Sequence, residues 1–368
     1  MSVVKHGNRW RAKLKNGRID VDSQVFDTKT EAQEWLRRER AALLGGIDPR
    51  AGKELVKSAL ERWIVIRKTT VASTTYESDK NMIRLMPASM KNVHLSAVSD
   101  REVARAFEKL LASGLKESSV KRFRASLSPF FSWCVREKLI RANPVIGVKV
   151  PKGSDEVEEM DPFEEGELET AYQAWRMKDE RLADILLVLA WTGLRWGEAR
   201  VMQVADLVEV PTPGLMVRRS QSEGHPLKAT KSRRGRRVPL ANRVLPIVRE
   251  LAAGKEPHAL LFTPAGGGQL WRAHTLRTLG WSVKDDAGNN IGTGRGRRLH
   301  DLRHTAACLW LTRGVEPGTV QAWCGHESIA TTNRYLHFLG TSADRAGLNR
   351  LNDDPGGIRG AREGRTGV

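Results

Sequence analysis

The sequence has few tyrosines, few cysteines and no long apolar run. Its 368 residues include three tyrosines and three cysteines, and Cys134, Cys308 and Cys324 lie far apart without a Cys-x-x-Cys pair. This excludes a disulfide scaffold and a cysteine-rich zinc module, and it fits a reducing cytosol. The longest uncharged apolar run, Ile185 to Trp191, is far shorter than the ~20 residues that cross a bilayer. The first residues lack the apolar stretch of a secretory signal, so we expect a cytoplasmic protein without a membrane partner.

Acidic residues are also in deficit. Lysine and arginine number 61 against 43 aspartates and glutamates, which gives a net charge of +18. Such an excess predicts a polyanionic partner, most often nucleic acid. The sign reverses only in residues 151–170, where one lysine stands among nine acids. This strip predicts a linker between two DNA-binding blocks, and it equally suits the acidic first turn of a helix that begins near Phe163.

The length predicts two or three domains, and the patterns predict a multidomain, mainly α protein with small β elements. We expect a small sheet-plus-helix module in residues 1–50, a helical domain in 51–150 and an acidic linker in 151–162. A mixed, mostly α domain should follow in 163–350. The tail, 351–368, is rich in glycine and arginine and should be disordered.

The first fifty residues combine a strand pattern with a helix start. Trp10, Ala12 and Leu14 alternate with cations, as a half-buried strand requires. Asn16-Gly17 predicts a hairpin turn, with Trp10 and Phe26 anchoring the sheet to a helix. The sequence Thr28-x-x-Glu31 is a capping box that opens this helix.

Helical periodicity dominates most of the remaining chain. In the second block we expect a helix capped by Asp100 and another that is kinked or broken at Pro129. Further on, a helix should end at Thr192-Gly193. Three cationic strands are predicted at 215–219, 226–230 and 236–240, and helices near 242–253, 272–283, 301–313, 316–324 and 328–338.

The densest polar motifs lie in the C-terminal half, around one phenol. Arg195 is followed by Glu198, and Lys231 lies in a cationic hairpin. Next comes His300-Asp301-Leu302-Arg303-His304, and Gly325-His326 precedes Tyr335 by nine residues. This order of Arg, Lys, His-x-x-Arg, His and Tyr resembles the tyrosine recombinase family, over roughly residues 160–345. The upstream layout resembles phage-type integrases, which bind arm sites as well as core sites.

The chemistry of these residue types agrees with attack on a phosphodiester. Forked guanidinium groups that never lose their protons can clamp the oxygens of a crowded phosphorus centre, and Arg195 and Arg303 are the candidates. The resemblance implies that Tyr335 is the nucleophile, that His300 acts as acid or base, and that His326 binds a phosphate oxygen. Glu198, one turn after Arg195, should fix local geometry.

A leaving 5′-oxygen needs a proton, and a mobile ammonium suits that task. The resemblance points to Lys231, with Lys228 as an alternative three residues earlier. The neighbouring cations are interpreted as phosphate contacts: Arg233, Arg234, Arg236 and Arg237. In the first module, a basic ribbon would contact DNA through Arg9, Arg11, Lys13, Lys15 and Arg18.

Two competing motifs are weaker. His300 and His304 lie four residues apart, as in zinc helices, but no convincing third ligand follows and Arg303 would place a cation beside the metal. The glycine-rich segment 292–296 follows no hydrophobic strand and lacks the phosphate-loop pattern. We therefore expect no metal and no cofactor, since transesterification conserves the phosphodiester energy.

The resemblance implies a site-specific recombinase that integrates and excises DNA through a 3′-phosphotyrosine intermediate. It would act on double-stranded core and arm sites as a homotetramer, together with a host DNA-bending protein and an excision-directing protein. The alternatives are a chromosome-resolving or transposon recombinase, which usually lacks the first fifty residues, and a type IB topoisomerase-like enzyme. An architectural DNA-binding protein would not need the spacing of His326 and Tyr335.

Overall fold

The computed structural model describes residues 2–44, 51–153, 160–229, 235–336 and 348. The chain forms two compact units, Met1–Val157 and Glu158–Val368. Within the described ranges, no helix combines the length and apolar character needed to span a membrane. The fold is multidomain and mainly helical with small sheets, as the sequence predicts.

The first unit begins with a three-stranded antiparallel sheet. Its strands are β1 (Ser2–His6), β2 (Arg9–Asn16) and β3 (Ile19–Phe26), with β2 in the centre, and α1 (Lys29–Leu44) packs against it. The register pairs Asn16 with Ile19, so the two-residue loop is Gly17-Arg18, one position later than predicted. Strand β1 has no counterpart among the sequence predictions.

The predicted core of this module is confirmed. Ala12 and Leu14 are fully buried, and Phe26 packs on Trp35 of α1 with ring centroids 5.7 Å apart. The predicted capping box caps the N-terminus of α1. Thr28 Oγ1 accepts from Glu31 N–H, and Glu31 Oε2 accepts from Thr28 N–H, both at 3.2 Å.

A helical part with its own hydrophobic cluster follows. Its helices are α2 (Val56–Thr70), α3 (Ser73–Leu85), α4 (Ala88–Lys91), α5 (Asp100–Ala112) and α6 (Glu117–Arg136), with 3-10 turns at Ala51–Lys53 and Leu95–Ala97. Trp63 of α2 packs edge-on against Phe130 of α6. Aromatic side chains therefore fix the centre of this cluster.

One local prediction in this part is wrong, and of the kink or break predicted at Pro129 the structure excludes the break. The N-cap of α5 is Ser99, whose Oγ accepts from Glu102 N–H at 3.3 Å, while Asp100 is the first helical residue. Helix α6 continues through Pro129 instead of breaking there. A proline inside a helix costs about 3 kcal/mol, and burial of Phe130 and its neighbours on the same face offsets this, since each such side chain contributes about 1.5–3 kcal/mol.

The second unit is built on buried helices and two small sheets. Its helices are α7 (Glu165–Arg176), α8 (Glu180–Thr192), α9 (Trp196–Ala199), α10 (Leu245–Ala252), α11 (Arg272–Thr278), α12 (Asp301–Thr312), α13 (Pro317–Cys324) and α14 (Ile329–Asn333). Helices α7 and α12 pack against α8, which is apolar on nearly every side. Helix α8 ends at Gly193, whose φ of 61° gives the predicted stop.

Five short strands form two sheets in the described part of this unit. The strands are β4 (Leu207–Val208), β5 (Gly214–Val217), β6 (Arg219–Ser220), β7 (Lys228–Ala229) and β8 (Arg236–Pro239), arranged as β4-β5-β8 and β6-β7. The predicted strand at 215–219 is therefore split between two sheets, and β4 is an addition to the prediction. Helix α11 ends earlier than predicted, because Gly280 takes a left-handed φ of 59° and turns the chain back.

The glycine-rich segment has a packing role. A Cβ atom at Gly294 would lie 2.3 Å from Nε1 of Trp281, and one at Gly292 would lie 2.3 Å from the carbonyl oxygen of Trp281. The indole N–H donates to the carbonyl of Arg297 at 2.6 Å. These glycines let the loop lie directly on the buried tryptophan.

The last residues of the predicted acidic linker pack within the second unit. Met160 packs against the core of the second unit, and Asp161 accepts a hydrogen bond from Arg297 at 2.9 Å. The end of the proposed linker therefore belongs to the second unit. Residues 154–159 and the predicted tail, 351–368, lie outside the described residues, so the linker and the disordered tail stay predictions, as do the remaining domain boundaries.

Candidate active site

Arg195 and Glu198 are fixed together at the start of α9. Arg195 is the N-cap, and its backbone N–H donates to Glu198 Oε2 at 2.8 Å while Nη1 donates to Glu198 Oε1 at 2.9 Å. Glu198 is only 2% exposed, whereas the side chain of Arg195 is 40% exposed. The buried carboxylate of Glu198 thus orients the guanidinium of Arg195, which still faces solvent.

Arg236 of β8 is the second cation on this carboxylate. Its Nη1 and Nη2 donate to the two oxygens of Glu198 at 2.8 and 2.6 Å, and its Nε donates to the carbonyl of Trp323 at 2.8 Å. Burial would raise the pKa of Glu198, but hydrogen bonds from Arg236 and the charges of Arg236 and Arg195 lower it overall. This geometry does not favour the predicted phosphate contact for Arg236, because its nitrogens are engaged within the protein.

Arg303 of α12 is the most buried of the three arginines. Its Nη1 donates to the carbonyl of Gly193 at 2.6 Å, and its Nη2 donates to the carbonyl of Cys324 at 2.5 Å. These carbonyls end α8 and α13, where a helix leaves acceptors unpaired and its dipole favours a cation. Burial lowers the pKa of Arg303 from its usual value, although a guanidinium of this kind stays protonated at neutral pH.

Three successive carbonyls at the end of α13 each bind one arginine. Trp323 accepts from Arg236, Cys324 accepts from Arg303, and Gly325 accepts from Arg195 Nη2 at 3.1 Å. Gly325 has a left-handed φ of 65° that terminates the helix. The result is a cluster of three cations and one carboxylate, with excess positive charge suited to a phosphate.

The two predicted histidines lie beside this cluster. His300 is the exposed N-cap residue of α12, and desolvation followed by the charge of Arg303 lowers its pKa. His326 follows Gly325, and its Nδ1 lies 2.9 Å from Thr332 Oγ1. Burial, followed by the charges of Arg303 and Arg195, lowers the pKa of His326 to about 4. Both imidazoles are therefore neutral at physiological pH in the unbound chain.

Tyr335 is buried against two histidines. Only 2% of it is exposed, and its Oη lies 2.7 Å from Nδ1 of His304. Its ring is nearly parallel to that of His326, at 7° with centroids 6.0 Å apart. Burial raises the pKa of Tyr335 to about 12, so the hydroxyl keeps its proton in the unbound chain.

The structure therefore brings Arg195, Glu198, His300, Arg303, His326 and Tyr335 into one site. Lys231, Arg233 and Arg234 lie outside the described residues. The backbone of Lys228 lies in β7. Arg237 donates to Thr212 Oγ1 at 2.9 Å, and because side chains alternate along a strand, it leaves β8 on the side opposite to Arg236.

The cations of the first module occupy β2 and its turn. Arg9, Arg11, Lys13 and Lys15 alternate with the buried Ala12 and Leu14, so they lie on the face of the sheet that α1 does not cover. Arg11 also contacts His6 Nε2 at 2.6 Å, and Arg18 is exposed in the loop. Their role in DNA binding stays a prediction.

His304 makes a contact that the sequence patterns do not predict. Its spacing from His300 resembles only that of a zinc ligand, yet its Nδ1 is occupied by Tyr335. Across the described ranges, no group of three or more histidine, cysteine, aspartate or glutamate side chains is placed to hold a metal. One sequence signal points to His304: it lies one helical turn after His300 and directly after Arg303.

Comparison with known proteins decides the family. The sequence model of the phage integrase family matches residues 161–340, which contain every residue of this site. The matched part of the chain, residues 161–340, is a member of the tyrosine recombinase family. Its sequence relatives include a tyrosine recombinase of Thermosipho africanus, 26% identical over 65% of this chain and 80% of the relative. A XerC-like tyrosine recombinase of Caldanaerobacter subterraneus subsp. tengcongensis is 23% identical and covers 92% of this chain and 93% of its own.

Solved structures share the fold of this recombinase. The Tn1549 transposon integrase in complex with a circular intermediate DNA superposes with a TM-score of 0.63 at 19% identity, covering 81% of this chain and 99% of that one. A lambda integrase dimer bound to a core site superposes with a TM-score of 0.57 at 16% identity, covering 90% and 93%. The tyrosine recombinase relatives indicate site-specific recombinase activity.

Proposed function

We propose that the recombinase is an integrase-type enzyme that cuts and rejoins double-stranded DNA through Tyr335. The observation that carries this proposal is the position of Tyr335 Oη, which lies among neutral histidines beside an arginine cluster. A phenol attacking a phosphodiester adds negative charge to the non-bridging oxygens. The site supplies cations for that charge and a nucleophile next to it.

Arg195 and Arg303 are the proposed clamp for the scissile phosphate. Both are already oriented by carbonyls and, for Arg195, by Glu198. Groups oriented before the substrate arrives need little reorganisation during reaction, which makes their electrostatic stabilisation effective. His326 would donate a hydrogen bond to a phosphate oxygen, and His300 would act as acid or base from its exposed position.

Lys231 is the proposed acid for the departing 5′-oxygen, with Lys228 as the alternative. The product would be a 3′-phosphotyrosine link and a free 5′-hydroxyl, and attack by the hydroxyl of a second strand would reverse the step. No net bond energy is lost, so the proposal needs neither a metal nor ATP.

The first module is the proposed arm-site reader. Its sheet buries one face against α1 and carries Arg9, Arg11, Lys13 and Lys15 on the other. A ribbon of this size fits the major groove. Binding core and arm sites with one chain raises the effective concentration of the second site, as expected for a tetramer that acts with a DNA-bending host protein and an excision-directing protein at attachment sites.

Chromosome resolution is the second candidate, because several relatives are named XerC or XerD. The two candidates differ in their use of the first module. An integrase needs it for recombination at long attachment sites, whereas a chromosome-resolving recombinase acts on a short core site alone. The recombinase relatives favour both candidates over a topoisomerase.

Covalent capture tests the chemistry and selects the DNA site in the same experiment. The full chain is incubated with a pool of nicked duplexes of randomised sequence, and adducts that survive denaturation are recovered and sequenced. We expect DNA linked to Tyr335 in the digested protein. Tyr335→Phe should bind DNA but form no adduct, whereas Tyr76→Phe should form it normally. An adduct on Tyr76 or Tyr172, or none with the wild-type chain, would contradict the proposal.

Removal of residues 1–50 tests the integrase role. The truncated chain should still form the adduct on a short captured site, but it should not recombine long attachment sites. Because Asp22 pairs with Lys53 at 2.5 Å, thermal denaturation must show that the remaining chain is folded. Full recombination by the truncated chain on a long site would favour chromosome resolution.

A further inference from the structure

The hydrogen bond between Tyr335 and His304 identifies a residue without an assigned role. The Oη–Nδ1 distance is 2.7 Å, and the ring centroids are 5.5 Å apart. We propose that His304 is the general base that takes the phenolic proton when Tyr335 attacks DNA. This inference rests on the proposed function, since it names the proton acceptor for that same nucleophile.

The surroundings of the second nitrogen of His304 favour one direction for this hydrogen bond. Its Nε2 lies 3.8 Å from Oδ1 of Asp301. Asp301 is buried and held in place, because its Oδ2 accepts from Arg298 N–H at 2.7 Å. A carboxylate on the Nε2 side favours the tautomer with its proton on Nε2. The unprotonated Nδ1 then faces the phenol and accepts its hydrogen.

His300 and His304 are placed for different tasks. Their rings meet edge to face, at 87° with centroids 5.0 Å apart. His300 is exposed at the N-cap of α12, whereas the side chain of His304 is 13% exposed and lies one turn deeper. Of the two, His304 contacts the nucleophile. Of the acid and base roles proposed for His300, this inference gives the base role to His304 and leaves His300 as an acid or a phosphate contact.

The proton balance of the step is complete. The Oη atom forms a bond to phosphorus, the bond from phosphorus to the 5′-oxygen breaks, and the phenolic proton moves to His304 Nδ1. The electron pair of the breaking bond leaves with the 5′-oxygen, which takes a proton from the general acid. In the rejoining step His304 returns the proton to Oη.

The environment keeps this acceptor unprotonated before reaction. Burial, followed by repulsion from His300 when that ring is protonated, lowers the pKa of His304 to about 4, so the imidazole is neutral at physiological pH. Because burial also raises the pKa of Tyr335, transfer must accompany attack rather than precede it. Among the described residues, the charged and titratable groups around His304 include His300, Asp301, Arg303, Arg298, His326 and Tyr335, and Arg272 and Arg334 line the same cavity.

His304→Asn is the sharpest variant, because the amide oxygen can replace Nδ1 as an acceptor without being basic. On a captured nicked duplex, we expect adduct formation to slow about 100-fold or more, the range of general-base effects, with DNA binding unchanged. His258→Gln, an exposed histidine of the same unit, is the matched control and should react normally. An unchanged rate for folded His304→Asn would overturn the inference.

Replacing Tyr335 by a fluorinated tyrosine tests whether His304 acts as a base or only holds the phenol in position. Fluorine lowers the phenol pKa, so it should speed His304→Asn markedly while changing the wild-type rate little. An equal effect in both chains would overturn the inference. If His304→Asn does not fold, a series of fluorinated tyrosines at position 335 of the otherwise wild-type chain provides the test alone. A rate of adduct formation that rises steeply as the phenol pKa falls would mean that no base acts, and it would overturn the inference.

The two proposals fail differently. If the wild-type chain forms no adduct with any duplex in the pool, the proposed function fails. If the wild-type chain forms the adduct through Tyr335 and His304→Asn forms it equally fast, only the role of His304 fails.

Discussion

Arg236 donates two parallel hydrogen bonds to Glu198, at 2.8 and 2.6 Å, with both side chains largely removed from solvent. Glu198 in turn orients Arg195. Arg236 is thus a positioning residue for the proposed phosphate clamp. An arginine that resembles a surface cation in the sequence acts within the site.

Arg236→Ala should destabilise the protein and slow cleavage. Removing one partner of a buried pair typically costs about 3–5 kcal/mol, because the remaining charge stays desolvated. The matched control is Arg249→Ala, which breaks an exposed Arg–Glu pair with Glu209 and should cost at most about 1 kcal/mol. Urea denaturation and single-turnover cleavage measure both effects. Equal losses in the two variants would refute the positioning role.

The stability of the unbound chain should fall as pH drops from about 6.5 towards about 4. His304 and His326 have folded pKa values of about 4, whereas histidines in the unfolded chain take up protons near pH 6.5. The unfolded state therefore binds more protons in this window, and acid favours it. Thermal midpoints across the window, compared with those of the double variant His304→Asn/His326→Gln, should show a flatter dependence in the variant. A variant with the wild-type slope would contradict this.

Lys231→Ala should lose cleavage of normal DNA but recover it on a 5′-bridging phosphorothiolate, whose leaving group needs no proton. Arg195→Ala and Arg303→Ala should not recover, because their proposed task is to stabilise phosphate charge. Cleavage rates on the two substrates make the comparison. Recovery by Lys228→Ala, with Lys231→Ala unimpaired on normal DNA, would transfer the role to Lys228.

Gly294→Ala should destabilise the second unit, because its methyl group would meet the indole of Trp281 at 2.3 Å. Overpacking of this kind costs about 1–3 kcal/mol. Gly318→Ala in α13 is the control, since its Cβ meets nothing within 4 Å, and it should leave stability unchanged or raise it by up to about 1 kcal/mol. Chemical denaturation distinguishes the two. A stabilised Gly294→Ala would show that the loop can move away.

Periodicity and capping signals are enough to predict most helices and the first sheet. The limits of α12 and α13 agree closely with the predictions because short polar turns flank them. The residues of the site follow from motif order, which is a property of sequence. The bond from His304 to Tyr335 is not predictable in this way, since it joins residues 31 positions apart.

Arg236 shows a second limit of sequence reasoning. Four arginines within five positions, 233 to 237, look equivalent in the sequence. Alternation along β8 directs Arg236 towards Glu198 and Arg237 towards Thr212. The side of a strand that faces an active site depends on how the sheet packs, and that information lies in distant parts of the chain.

The end of α13 uses its backbone, and not its side chains, to hold the three arginines. An alanine scan through Trp323 and Cys324 would leave all three carbonyl oxygens in place and would overlook their contribution. Replacing the peptide bonds after these residues by esters, which weakens the carbonyls as acceptors, would expose it. The side chains of Trp323 and Cys324 are therefore less constrained by this cluster than the backbone conformation that places the three carbonyls.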